Sequence, residues 1–196
     1  MRCVADAITA PLGGRWEVVV FRADDPNAFA LPGGKIGVNS GIFRVARNQD
    51  QLATVIGHEV AHVVAQHANE RISTAYATQT GLSLLGALAG PQQAQLLAML
   101  GLGAQVGILM PWGRDQEREA DLIGLDLMAD AGFDPRQSLE LWRNMEAVAG
   151  EQPPEFLSTH PAQGTRIQDL SARMPQALAR MQEARAQGRV PGCGDR

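Results

Sequence analysis

The stretch IGHEVAH, residues 56–62, sets two of the chain's four histidines four positions apart with a glutamate beside the first, inside an apolar run. A helix turns about 100° per residue, so positions i and i+4 share a face about 6 Å apart along the axis. His58 and His62 therefore point the same way. Two imidazoles on one helical face can hold one Zn²⁺, and the glutamate between them can reach a water on that ion, which gives the HExxH pattern its specificity. The candidate ligands are His58 and His62, and the candidate general base is Glu59. The alternative is a helix that happens to carry two core or surface histidines; it would bury imidazole and carboxylate groups without partners, which is costly.

Working outward, Leu52, Val55, Ile56, Val60, Val63 and Val64 recur at helical spacing and predict a helix from Asp50 to about Arg71. Upstream, WEVVVF (residues 16–21) has the β-branched and aromatic content of a strand. Turn signals at Asp25-Pro26 and Pro32-Gly33-Gly34 separate extended stretches around Phe29 and Ile36 to Val38, so a small sheet of about three strands precedes the helix.

Downstream, residues 73–112 are rich in Ala, Gly, Leu and Gln. Their longest apolar piece, LLAMLGLGAQVGILMPW (residues 96–112), is broken by Gln105 and several glycines and is shorter than the ~20 residues a bilayer span needs. The expectation is core helices or a mobile lid, with no transmembrane segment. DQEREADLIGLDLMADAG then predicts a helix from about Asp115 to Ala131, ended by Gly132. DPRQSLELWRNMEAV restarts with Asp134 as N-cap, Pro135 at the first helical position and Gln137 completing a capping-box-like pattern. GEQPPEFLSTHPAQGTRI reads as a loop leading into a helix at Pro161, and PQALARMQEARAQG as a last helix before a Pro/Gly tail. No internal repeat is visible. The expected fold class is α+β: one mainly helical domain over residues 1–196 with a small sheet before the HExxH helix.

The 196 residues, 45% hydrophobic and 19% charged, have the usage of a globular chain with a sizeable core. A formal net charge of -4, a pI near 5.5 and no basic block leave no footprint for nucleic acid. The start, MRCVADAITAPLGG, lacks the apolar core of a secretory signal, so either the protein is cytoplasmic or a targeting segment has been removed. Cys3 and Cys193, near opposite ends, favour the second reading. A bond between them would close almost the whole chain into a loop, worth up to roughly 5 kcal/mol in the chain-entropy model; two unrelated free thiols are the alternative.

A tetrahedral catalytic zinc takes a third protein ligand and keeps one open position. The remaining histidines are His67 and His160, and acids cluster in DQEREAD, residues 115–121. HEVAH, then EREAD some fifty residues on, then STHPAQGTR resembles the zinc metallopeptidase family of HtpX, the CAAX prenyl proteases and the periplasmic BepA/LoiP-type proteases, over roughly Asn27 to Arg166. The resemblance implies a gluzincin, with a Glu as third ligand falling on Glu117 and the family's Asp on Asp121. Helical geometry agrees, since these two are i and i+4 and share a face with Ala120 and Gly124, small enough for a close approach to the HEVAH helix. Asp121 would orient a zinc-bound imidazole through its other nitrogen, and Glu119 would be a solvated surface charge.

The resemblance also implies that His160 faces the active site with Arg166 beside it. Two roles stay open for His160: a hydrogen bond to the tetrahedral oxyanion, or occupation of the open zinc position in a resting state. A loop histidine that caps its own helix is the bland alternative. His67, five residues past His62, is rotated off the ligand face and reads as structural or surface.

For substrate, NAFALPGGKI just before the catalytic helix is the candidate exposed strand edge, with Asn27 and Ala28 or Gly33 and Gly34 allowing close backbone approach; a plain structural hairpin is the alternative. The activity implied is zinc endopeptidase, one Zn²⁺ per chain, acting on unfolded or misassembled proteins in periplasmic or outer-membrane-associated quality control. Any membrane association would run through a removed anchor. The C-terminal helical-repeat domain of larger relatives has no counterpart here. Two other readings are a catalytically silent zinc-containing chaperone or binding module, and a metal-free helical interaction protein using residues 81–110.

Overall fold

The computed structural model describes residues 1–88, 95, 112–148, 155–161 and 164–194. The chain divides into two compact units, one formed by residues 1–65 with 112–196 and the other by residues 66–111.

In the first unit, α1 (Arg2–Thr9) leads to three short strands, β1 (Glu17–Phe21), β2 (Ala28–Leu31) and β3 (Lys35–Asn39), and then to α2 (Gln49–Val64). After the second unit come α4 (Arg114–Asp130), α5 (Gln137–Val148), the one-turn α6 (Glu155–Thr159) and α7 (Arg166–Ala186). The class is α+β, as the sequence predicts. The sheet order is β1-β3-β2, with β1 parallel and β2 antiparallel to β3.

Helix α2 is the axis of the unit. Asn48 caps it, its side chain accepting from the Gln51 backbone N–H at 2.8 Å, and every residue from Gln51 to His62 is buried. A helix apolar on nearly all sides has to be packed on all sides. Helix α1 covers one flank through Val4, Ala5 and Ile8, and α4 covers another. There the backbones meet at two glycines: a Cβ on Gly57 would stand 2.8 Å from the Gly124 carbonyl oxygen, and a Cβ on Gly124 would stand 2.8 Å from the Gly57 carbonyl carbon and from the His58 nitrogen.

Several boundaries differ from the sequence reading, each for a physical reason. The HExxH helix stops at Val64 rather than near Arg71, because Gln66 adopts a left-handed φ of 57° that an α-helix cannot accommodate. Residues 2–9 form a helix that the sequence reading left unassigned; its buried stripe is only one side of two turns. Asp134 uses its side chain on Arg136, accepting from its backbone N–H at 3.0 Å, and α5 starts only at Gln137. Ser158 and Thr159 end a short helix, α6, and His160 follows it, instead of all three lying in loop, and the next helix begins at Arg166, not Pro161. From there one helix runs through Pro175, although the sequence reading starts its last helix at that proline. Leu170, Ala177, Met181 and Ala184 make a continuous buried stripe that spans the lost donor.

The C-terminal tail returns to the start of α2. Gln49 donates through Nε2 to the Pro191 carbonyl at 2.9 Å and accepts from the Cys193 N–H at 2.6 Å. Gly132, at φ 89°, lies against the same tail, and a Cβ there would meet the Arg189 oxygen at 2.0 Å. Cys193 is bonded to Cys3 of α1, their Cα atoms 5.6 Å apart, so the disulfide expected from the sequence is present.

In the second unit, α3 (His67–Leu88) is the described element. His67 is buried, whereas Ile72, Tyr76, Leu84, Leu85 and Leu88 are exposed. Of the expected lid or core stretch, residues 73–88 are helix with Tyr76, Leu84, Leu85 and Leu88 exposed; residues 89–111, apart from 95, lie outside the described residues. Among those described, no helix is long and apolar enough to cross a membrane.

Two outcomes follow from this packing. Gly124→Val forces α4 away from α2 and should lower stability by about 1–3 kcal/mol, read from denaturant or thermal melts. Thiol titration of the native protein should find no free thiol until reductant is added, and the reduced protein should melt at a lower temperature.

Candidate metal centre

Four buried side chains meet between α2, α4 and the end of α6: His58, His62, Glu117 and His160, whose ligand atoms all lie within 4.8 Å of one another. The i and i+4 placement on α2 turns both imidazoles toward α4, and the glycine contact brings that helix close enough for Glu117 to reach them. Nε2 of His58 lies 3.2 Å from Nε2 of His62 and 3.1 Å from Nδ1 of His160. Glu117 Oε1 lies 3.2 Å from His62 Nε2 and 2.9 Å from His160 Nδ1, and its Oε2 lies 3.5 Å from His58 Nε2.

These separations are those of ligands around one small cation. With metal–ligand bonds of about 2.0–2.2 Å, tetrahedral donors sit about 3.3 Å apart, and the five separations just given run from 2.9 to 3.5 Å, with all the ligand atoms within 4.8 Å of one another. Imidazole nitrogens and one carboxylate are the donor set that suits zinc rather than magnesium or calcium. The residues present fit the ion.

The electrostatics point the same way. Burial pushes the Glu117 carboxyl up, but the His58 charge and hydrogen bonds from His160, His58 and His62 outweigh it and hold the group well below the usual carboxylate range. For His58, burial works downward, yet the Glu117 charge and the Asp121 and Glu117 contacts raise the pKa to about 10. Burial takes His62 down to about 3. The metal-free cluster therefore keeps a proton on His58 opposite an ionised Glu117, and a bound cation would displace that proton.

Around the cluster, Asp121 Oδ1 lies 3.0 Å from His58 Nδ1, the one ring nitrogen of His58 turned away from the others. The contact is at ion-pair distance, and Nδ1 makes no hydrogen bond among the described residues. Arg166 ties the two carboxylates together, donating from Nε to Asp121 Oδ2 at 2.5 Å and from Nη2 to Glu117 Oε2 at 2.7 Å, while its guanidinium carbon lies 3.9 Å from the centre of the Trp142 ring. The sequence reading sets Arg166 beside His160, and its contacts here are with Glu117, Asp121 and Trp142; Glu119 is exposed and His67 is no member of the cluster.

His160 follows α6, its N–H donating to the Phe156 carbonyl at 2.8 Å. Its Nδ1 faces the cluster and Nε2 lies 3.4 Å from Glu59 Oε1. Glu59 itself is buried and accepts from the Ala30 N–H of β2 through Oε2 at 3.1 Å, while Oε1 has no hydrogen-bond partner among the described residues. Burial pushes its carboxyl above the usual range.

That bond identifies the edge nearest the chemistry. Asn39 N–H donates to the Asn27 carbonyl at 2.8 Å, so by antiparallel alternation Ala28 and Ala30 direct their polar groups away from β3, toward Glu59. Ala30 is the residue at the base, and the sequence reading did not single it out. Ala28 N–H is taken by the Asn27 side chain at 2.9 Å. Gly33 and Gly34 instead make the β2–β3 turn at φ 89° and 79°, where a Cβ on Gly34 would strike the Arg15 carbonyl; their small size serves the turn.

The sequence reading also missed an aromatic lining. Trp112 stacks on His62 with centroids 4.4 Å apart, Phe156 stacks on His160 at 4.6 Å, and Trp142 meets His58 edge-on at 5.7 Å. The available signal was scarcity: the chain has three tryptophans, and two of them touch this cluster.

Peptidase family M48 matches residues 1–174. Mitochondrial metalloendopeptidase OMA1 of Schizosaccharomyces pombe is 40% identical over 165 residues, covering 83% of this chain and 48% of the relative. Its Saccharomyces cerevisiae counterpart is 38% identical over 179 residues, 84% of this chain and 49% of its own. Beta-barrel assembly-enhancing protease of Escherichia coli K12 is 34% identical over 163 residues, 78% and 33% respectively. The chain spans about half or less of the length of these relatives.

Asp121→Asn should leave the fold in place and lower zinc affinity about 10–100-fold, measured by competition with a chromogenic chelator; unchanged affinity would remove Asp121 from the support of His58.

Proposed function

Because the chain belongs to peptidase family M48, the family its HEVAH, EREAD and STHPAQGTR motifs suggest, we propose that it is a zinc-dependent endopeptidase. The observation that carries this reading is the buried convergence of His58, His62 and Glu117 beside a buried glutamate, one of whose oxygens accepts no hydrogen bond among the described residues. His58, His62 and Glu117 would hold one zinc ion, with Asp121 and Arg166 fixing the orientation of the ligands. When bound, the zinc supplies the Lewis acidity that polarises a scissile carbonyl and makes water nucleophilic at neutral pH.

The chain's own residues supply the rest. Glu59 takes a proton from the attacking water and returns it to the leaving amine. Burial suits it to the task, since a carboxylate short of partners is a stronger base. An extended substrate pairs with the free edge of β2 through Ala28 and Ala30, which requires Glu59 to release the Ala30 N–H. His160 stands at the fourth corner of the cluster at rest. By withdrawing from that corner it frees the position for substrate, and its Nε2, already beside Glu59, can then donate to the developing oxyanion.

Unfolded or misassembled proteins are the proposed substrates, since recognition through main-chain hydrogen bonds demands an extended chain more than a particular sequence. The proposed compartment is an oxidising one, the periplasmic or outer-membrane-associated side of a bacterial envelope, supported by the Cys3–Cys193 bond and by likeness to the Escherichia coli protease. A catalytically silent zinc module is disfavoured by Glu59, for which a purely structural site has no use.

Glu59→Gln should keep about one zinc per chain while casein or peptide cleavage falls about a hundredfold or more. In the wild type, kcat/KM should rise with pH through a pKa above the ordinary glutamate value of 4.5, because burial keeps Glu59 protonated to higher pH. Full turnover by the zinc-loaded variant would overturn the assignment.

A further inference from the structure

The strand that carries the Ala30 N–H to Glu59 has a second face. Along β2, Ala28 and Ala30 belong to one side of the sheet, and Phe29 and Leu31 to the other. The register sets Phe29 opposite Gly37 of β3, and Gly37 opposite Val19 of β1. With no side chain at Gly37, the Phe29 ring lies down across it: a Cβ there would stand 2.3 Å from Phe29 Cζ. It stacks on Phe21 with centroids 6.1 Å apart and planes inclined by 23°. Val19, Phe21, Phe29 and Leu31 thus form one apolar surface, each more than a third exposed. The Glu17–Lys35 ion pair closes the end nearest the β2–β3 turn.

An exposed apolar surface of this kind marks a binding face, and its position says what it binds. A polypeptide added antiparallel to β2 through Ala28 and Ala30 must alternate its side chains between the two sides of the sheet. Those on the outer side come down beside Phe29 and Leu31. From this geometry we infer that the outer face of the sheet is a specificity subsite, which selects extended substrates carrying apolar side chains at every second position on one side of the chain. The inference deepens the peptidase reading and rests on β2 being the substrate edge. It narrows the substrate class to unfolded segments rich in apolar residues, of the kind a folded protein buries in a strand. Glu59 and the metal ligands are indifferent to side-chain chemistry; Phe29 and Leu31 are not.

The test uses zinc-loaded Glu59→Gln protein, in which binding is read without turnover, and fluorescent twelve-residue peptides carrying Leu and Phe, or Ser and Gln, at alternate positions in either phase. One apolar phase should bind about tenfold more tightly than its polar counterpart, and Phe29→Ser/Leu31→Ser should bring the two within about twofold. Leu31→Lys, at a half-exposed site that buries no core, should weaken the same phase several-fold and guards against misfolding of the double variant. Equal binding of polar and apolar peptides, or a preference untouched by either variant, overturns the inference. So does a dimer that dissociates on Leu31→Lys with peptide preference unchanged, which would make this face a contact between copies of the chain. If the wild type cleaves none of the peptides while these binding differences hold, the peptidase reading fails and the subsite stands.

Discussion

The site depends on two helices touching backbone to backbone. Gly57 precedes His58 and Gly124 lies two turns beyond Glu117, and where they meet there is no room for a methyl group. That contact sets the spacing between α2 and α4, and so the distance at which a carboxylate from one faces two imidazoles from the other. The groups gathered there are expensive to bury singly. They are tolerated together because each charge has an answering one: Glu117 opposite His58, and Arg166 between Glu117 and Asp121.

The legible parts of the sequence were the local ones. HEVAH and EREAD each place two side chains four residues apart on a helix, so each pair's shared direction follows from helical geometry alone, and the small residues of α4 foretold a close crossing. The α+β class followed from one strand-rich stretch before a succession of helical patterns. The disulfide was readable only as a possibility of pairing; its geometry needed the tail to dock on Gln49, which no local pattern announces.

What was illegible is non-local or depends on one unusual residue. The break after Val64 rests on Gln66 in a left-handed conformation, a shape glutamine seldom takes and no pattern signals. Pro175 looked like a boundary, yet tertiary burial on both sides carried the helix through it. The aromatic lining joins Trp112, Trp142 and Phe156 from three separate stretches, and only folding shows that they address the same histidines. Ala30 escaped notice because its contribution is a backbone N–H, which any residue but proline could provide.

The bond between Cys3 and Cys193 holds the two ends of the described chain within 5.6 Å at Cα. Whatever polypeptide extends from either end departs from the same spot on the first unit, which makes that spot a common doorway for appended sequence. A bulky fusion at one terminus would crowd the other, and a tether at either would fix the unit's orientation almost identically.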